Sequence, residues 1–328
     1  MKITLLAAGL IAFATSAKAD APILTVLTYD SFASEWGPGP QIEKGFEASC
    51  ACDLQFLTAG DGAAVLARVQ LEGASSQVDV VVGLDTNLTA AATETNLFAP
   101  TGLTVANTLP TPFADANFLP FDWGYFAFVY DKTKLATPPK SFEELAASDL
   151  KIIIQDPRSS TPGLGLVMWI KAAYGDRAPD IWAALADNIV TVTPGWSEAY
   201  GMFLAGESDM VLSYTTSPAY HLIAESDDTK AAAAFSEGHY MQVEVAGKLA
   251  STDQSALADA FLAYLTGDAA QTILITTNWM YPATTPAAGM PKGFENLTVP
   301  TKSILLSATE AESGRAKAIE EWQTALSK

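Results

Sequence analysis

Phe118-Leu119-Pro120-Phe121-Asp122-Trp123-Gly124-Tyr125-Phe126-Ala127-Phe128-Val129-Tyr130 reads as one long aromatic strand, with Pro120 and Gly124 near its start. Aromatic and β-branched side chains suit a pleated, part-buried surface. A run of this length suits a segment that carries the chain from one folded unit into a second. Upstream of it, strand and helix patterns alternate. Leu24-Thr25-Val26-Leu27, Leu54-Gln55-Phe56-Leu57 and Val78-Asp79-Val80-Val81-Val82 have strand character. Between them, residues 41–46 and 63–71 have helical spacing, with Val65, Leu66 and Val69 on one face. Each strand runs into a polar or glycine-containing turn: Tyr29-Asp30-Ser31, Gly60-Asp61-Gly62 and Gly83-Leu84-Asp85. In open α/β sheets, ligands sit at that edge.

Downstream, Ser141-Phe142-Glu143-Glu144 opens a helix with capping-box spacing, and Lys151-Ile152-Ile153-Ile154 is a buried strand. Residues 164–174 and 178–189 follow as helices, and Met210-Val211-Leu212-Ser213-Tyr214 as a strand. Residues 239–245 form a strand that returns the chain to the first unit, ahead of a helix carrying Leu257, Phe261, Leu262 and Leu265. A last helix presents Ile319, Trp322 and Leu326 at i, i+3 and i+7. The class is α/β: two mixed sheets flanked by helices, with a hinge of extended crossings between them. A single large domain with a long excursion gives a similar pattern. The division expected is a first lobe of residues 20–122 plus about 244–283, a second lobe of 123–243, and a helical segment 284–328 of unassigned lobe.

Residues 1–19 read as a secretory signal: Met1-Lys2, an apolar run from Ile3 to Phe13, and a small-x-small ending at Ala19. The apolar run is shorter than the roughly 20 residues that span a bilayer. Cleavage after Ala19 leaves 309 of the 328 residues, more than one core usually holds, and places the mature chain in the periplasm. It removes two lysines and no acid, taking the net charge from −19 to −21. That charge disfavours a nucleic-acid partner and draws cations, although a solvated acidic surface needs no ligand to explain it.

The two cysteines, Cys50 and Cys52, form a C-x-C. In an oxidising compartment they either close a small local ring, which constrains little of the unfolded chain, or stay free. A zinc site needs more soft ligands, and His221 and His239 are distant in sequence. Catalytic signatures are weak. No G-x-S-x-G occurs; Gly195-Trp196-Ser197-Glu198-Ala199 begins like one and lacks the second glycine. P-loop and dinucleotide fingerprints are missing too, and no spacing among 37 acids selects an acid/base pair. No catalytic residue, metal or cofactor is expected.

What the turns do offer is aromatic faces beside carboxylates. Tyr29, Trp36, Trp196, Tyr214, Tyr220 and Trp279 are candidates, with Asp30, Asp61 or Asp85 for charge. A cation within about 6 Å of such a ring gains roughly 0.5–2 kcal/mol. The plainer explanation for any one of them is core or hinge packing, and Trp169, Trp182 and Trp322, inside helical patterns, are assigned to the core. Ser160-Thr161-Pro162 places a hydroxyl cap and a proline at a helix start, a pattern that serves an anion or simply a capped helix.

The phrases Leu27-Thr28-Tyr29-Asp30-Ser31-Phe32, Glu35-Trp36-Gly37-Pro38-Gly39-Pro40, Phe235-Ser236-Glu237-Gly238-His239-Tyr240 and Asn278-Trp279-Met280-Tyr281-Pro282, with 79–85, 125–131, 155–165, 195–201 and 212–221, resemble the periplasmic thiamine-binding proteins of bacterial ABC transporters. The resemblance implies a two-lobed, type II periplasmic-binding fold whose lobes close on thiamine or its phosphate esters. It implies ligand contacts at Asp61, Gly62, Ser160, Thr161, Trp196, Tyr214, Thr215, Thr216 and Ser217, and aromatic pocket positions at Tyr29, Trp36, Tyr220 and Trp279. Cys50-Ala51-Cys52 matches as well, while Pro194 before Gly195 is a departure that stiffens its loop. The implied partners are thiamine and the permease and ATPase of an ABC importer, met by a monomer. The rival functions are a receptor for another cation, a polyamine or ferric iron held by the Tyr214 and Tyr220 phenolates, and a periplasmic hydrolase of thiamine derivatives.

Overall fold

The structure is a computed structural model and describes residues 21–327. The expected signal segment, 1–19, lies outside the described residues. In chain order the strands are β1 (Ile23–Thr28), β2 (Asp53–Thr58), β3 (Val80–Asp85), β4 (Phe98–Ala99), β5 (Leu119–Asp131), β6 (Ile152–Gln155), β7 (Ile189–Thr193), β8 (Met210–Tyr214), β9 (Lys230–Ala232), β10 (His239–Leu249), β11 (Tyr281–Pro282) and β12 (Ser303–Ile304). The helices are α1 (Asp30–Ala33), α2 (Gly39–Cys50), α3 (Gly62–Glu72), α4 (Thr89–Glu94), α5 (Phe142–Ala146), α6 (Thr161–Tyr174), α7 (Ala178–Leu185), α8 (Trp196–Leu204), α9 (Pro218–Ala224), α10 (Ser255–Leu265), α11 (Asp268–Thr277) and α12 (Ala308–Leu326).

The main strand order is β2-β1-β3-β10-β5-β8-β6-β7. β1 lies parallel to β2 and β3, and β6 lies parallel to β7 and β8; helices return the chain within each group. Within that order β5 and β10 run antiparallel to their neighbours and join the two groups, while the short β12 lies parallel to β10 off it. Along β5 the partner changes: Leu119 to Tyr125 face β10, and Phe126 to Tyr130 face β8. The aromatic run from Phe118 to Tyr130 is therefore shared by both halves of a two-lobed α/β fold. Its core is dense with rings, Phe121, Phe126 and Phe128 among them, all fully buried.

Several local features follow from the sequence. Ser141 caps α5 by accepting from Glu144 N at 2.9 Å, and Ser307 and Glu310 form a full capping box on α12. Trp169, Trp182 and Trp322 are buried. α12 packs on α6 and α7. It is held there by Lys171 Nζ donating to Glu321 at 2.8 Å and by the Arg158 guanidinium 5.8 Å from the Trp322 ring. Cys50 and Cys52 are bonded to each other across Ala51, whose left-handed backbone (φ 52°) ends α2.

Other expectations are corrected. The helix read over 178–189 stops at Leu185, and Ile189 begins an edge strand instead. The strand read over 78–82 starts at Val80 and continues through the expected turn to Asp85. The segment 41–46 is the middle of a longer helix, Gly39–Cys50. Trp196, read as part of a loop, is the first residue of α8.

Candidate functional site

A cavity of about 320 Å³ lies between the two lobes, at the low end of the range for small-molecule sites. Of the residues singled out in the sequence, Tyr29, Trp36, Asp61, Thr161, Trp196, Tyr214, Ser217, Tyr220 and Trp279 line it. Gly62, Ser160, Thr215 and Thr216 stand behind the wall, and the three side chains among them are fully buried.

The aromatic wall is built in two parts. On one side Trp196, opening α8, stacks on Tyr200 one turn on, with ring centres 5.0 Å apart, and leans towards Trp36 at 6.3 Å. Its Nε1 donates to Ser213 Oγ at 2.8 Å, fixing the indole. On the other side Tyr220 and Trp279 meet edge to face at 5.5 Å. Trp279 follows the end of α11 with φ 57°, a left-handed position usually given to glycine. Such strain in a bulky residue is retained where the side chain is needed.

Asp61 sits at the start of α3 and points across the cleft. Ser160 Oγ donates to it at 2.7 Å and Trp196 N at 3.0 Å. It therefore faces the N-termini of α6 and α8, which favour negative charge. Burial nevertheless raises its pKa to about 6, working against those two hydrogen bonds. Gly62 N donates to Thr161 Oγ1 at 3.1 Å, and Ala64 N to Ser159 O at 3.1 Å. These bonds join the lobes, so the cleft is closed along this edge. A side chain at Gly62 would place a Cβ 2.5 Å from Thr161 Oγ1 and block the approach.

Ser217 exchanges a hydrogen bond with Ser213 at 2.7 Å, and Thr216 Oγ1 faces the Met280 sulfur. Tyr214 Oη donates to Gln242 Oε1 at 3.0 Å and Tyr220 Oη to Glu225 Oε1 at 3.0 Å. Burial pushes the pKa of both phenols up, which opposes phenolate formation. Asp85 is fully buried, bound by Asn87, and away from the cavity.

Sequence reasoning missed Tyr200, Glu244, Asn278 and Met280 on the wall. Tyr200 had a signal, its i+4 spacing from Trp196 on a helix. Glu244 had another, an acid within an apolar strand pattern. Neither histidine lines the cavity. His221 pairs with Tyr200 Oη at 2.9 Å and Glu225 Oε2 at 2.7 Å. His239 faces Phe126 O at 2.7 Å and accepts from Phe235 N at 3.0 Å, and burial lowers its pKa.

The model of the bacterial extracellular solute-binding protein family matches residues 41–272. The chain is 53% identical over 312 residues to a thiamine-binding periplasmic protein of Salmonella typhimurium, covering 94% of each. It is 47% identical over 308 residues to one from Brucella suis, covering 93% of this chain and 92% of that one. Among solved structures, a periplasmic thiamin binding protein superposes with a TM-score of 0.92 at 51% identity, over 94% of this chain and 97% of the other. A ferric binding protein from Campylobacter jejuni shares the fold, with a TM-score of 0.75 at 15% identity over 92% and 99% of the two chains.

Proposed function

The chain belongs to the bacterial extracellular solute-binding protein family, and from that premise we propose that it is a periplasmic receptor for thiamine. It delivers the vitamin, free or as a phosphate ester, to the permease and ATPase of an ABC importer. The observation that carries this is the cavity itself: indole and phenol rings from both lobes around the carboxyls of Asp61 and Glu244. Thiamine joins a flat aminopyrimidine to a permanently cationic thiazolium. Rings stack on both, each cation–ring contact contributes about 0.5–2 kcal/mol, and a carboxylate complements the charge. Relatives of about half identity over nearly the whole chain carry the name of that ligand.

The ligand favours closure because it touches both lobes at once. Asp61 comes from one side, with Trp196 and Tyr220 from the other. In this proposal the lobes are 20–122 with about 244–283, and 123–243; the protein acts as a monomer, without cofactor and without catalysis. Neither His221 nor His239 lines the cavity, which favours binding over hydrolysis. The raised phenol pKa values of Tyr214 and Tyr220 weigh against ferric iron.

Native mass spectrometry of freshly purified protein, followed by calorimetric titration with thiamine, spermidine and ferric citrate, tests the proposal. One thiamine per chain is expected, with quenched tryptophan emission and no product released from thiamine diphosphate. Binding of spermidine or iron without thiamine would overturn it.

A further inference from the structure

β10 is buried along its whole length, yet Glu244 sits in its middle with its side chain on the cavity. In register it stands opposite Asp122 of β5 on one side and Asp85 of β3 on the other. Three buried carboxyls thus face one another across neighbouring strands. Their partners differ. Asp85 accepts from Asn87 N at 3.1 Å and Nδ2 at 2.8 Å. Glu244 accepts from Tyr29 Oη at 2.9 Å and Gln242 Nε2 at 2.7 Å. Asp122 accepts from Asn278 Nδ2 at 2.6 Å on one oxygen; the other, Oδ1, is enclosed and has no hydrogen-bond partner among the described residues.

The groups facing the trio are the phenols of Tyr29, Tyr214 and Tyr240 and the amides of Asn87, Gln242 and Asn278. Arg315 of α12 acts on Asp85 only through its field, and among the described residues no lysine or arginine hydrogen-bonds any of the three. An enclosed carboxyl oxygen without a donor is unfavourable, and two carboxylates so placed resist ionising together. A proton between Asp122 and Glu244 removes both costs.

We infer that Glu244 and Asp122 share a proton in the free protein, and that a cation seated against Glu244 expels it to solvent, so that cation capture is proton-releasing. The inference rests on the cation-receptor reading above. In the step, the O–H bond of Glu244 breaks, the proton goes to bulk water, the charge of the pair falls by one, and the ligand's positive charge compensates. Burial and the neighbouring acids agree with this, holding Glu244 well above the ordinary carboxyl range and Asp122 at about 7. The pair is carried by the two strands that cross between the lobes, so the charge change falls at the hinge. A neutral guest of the same shape leaves the proton in place, which makes the pair a selector for charge.

The test is calorimetry of thiamine binding at pH 7.5 in two buffers of different ionisation enthalpy, which counts protons. Wild type is expected to release about 0.5–1 proton per ligand, and Glu244→Gln close to none, with several-fold weaker binding. The analogue with carbon in place of the thiazolium nitrogen should bind wild type without release. Equal proton counts for wild type and Glu244→Gln, or no release from wild type, would overturn the inference. Infrared spectra of the ligand-free protein at pH 8.5, above the titration of Asp61 and Asp85, separate this from the ligand's identity: a protonated-acid carbonyl band is expected in wild type and should be missing in Glu244→Gln. Absence of that band from wild type ends the inference whatever binds, whereas its presence with no thiamine uptake overturns the proposed ligand instead.

Discussion

Replacing Trp36 by alanine separates a ligand wall from a structural ring. Trp36 lies between α1 and α2 and is 56% exposed, and its aromatic neighbour is Trp196, 6.3 Å away and tilted by 53°. So little burial puts the stability cost of Trp36→Ala within about 0.5 kcal/mol, or about 1 °C in Tm for a chain of this size. The proposed site puts this indole on the ligand wall, and losing one cation–ring contact removes about 0.5–2 kcal/mol, a 2- to 30-fold rise in Kd. Titration calorimetry with thiamine, paired with scanning calorimetry of the free protein, reads both quantities. Trp36→Phe should recover most of the affinity. An unchanged Kd for Trp36→Ala would remove Trp36 from the site, and a Tm loss above about 5 °C would show that it holds the fold.

Other variants test the remaining parts of the site. Trp196→Ala should lower affinity and stability together, the latter by about 1–3 kcal/mol, because the indole donates to buried Ser213 and stacks on Tyr200; urea unfolding beside calorimetry checks it, and a stability like wild type would contradict the packing. Gly83→Ala places a Cβ 2.1 Å from Tyr29 Cδ1 at φ 97°, so it should cost about 1–3 kcal/mol and weaken thiamine binding by displacing that ring; a neutral outcome in both assays refutes the contact. Asp61 has a folded pKa of about 6 against an ordinary 3.8, so its stabilising share is complete below about pH 4 and is lost as pH rises through 6. In ligand-free unfolding from pH 4 to 7, Asp61→Asn should therefore lose less stability than wild type; parallel curves would show that Asp61 ionises freely.

The crossing strand was legible because Phe118 to Tyr130 combines ring content with length, and two lobes can share a strand only where it is long. β7 was not. Ile181, Leu185 and Ile189 continue a four-residue spacing past the real end of α7, and the alternation of Ile189-Val190-Thr191-Val192-Thr193 is half solvent-facing at an edge. α8 was obscured by Gly195 and by polar residues at its first turn, which also suit a loop. At the site, residues that end strands were found because the strand ends were found. Glu244 was overlooked for a different reason: within Val243-Glu244-Val245 an acid reads as the outer face of a one-sided strand, whereas β10 is covered on both faces. Ser160 illustrates the limit of cap patterns. Its hydroxyl serves Asp61 on the opposite lobe, a pairing across 99 positions that no local spacing reveals.

A crystal structure of the protein grown with thiamine tests the central claim most directly. The claim predicts one molecule in the cleft, its rings against Trp36 and Trp196 on one side and Tyr220 and Trp279 on the other, with a carboxyl of Asp61 or Glu244 beside the thiazolium. Thiamine bound elsewhere on the chain, with those rings uncontacted, would contradict it.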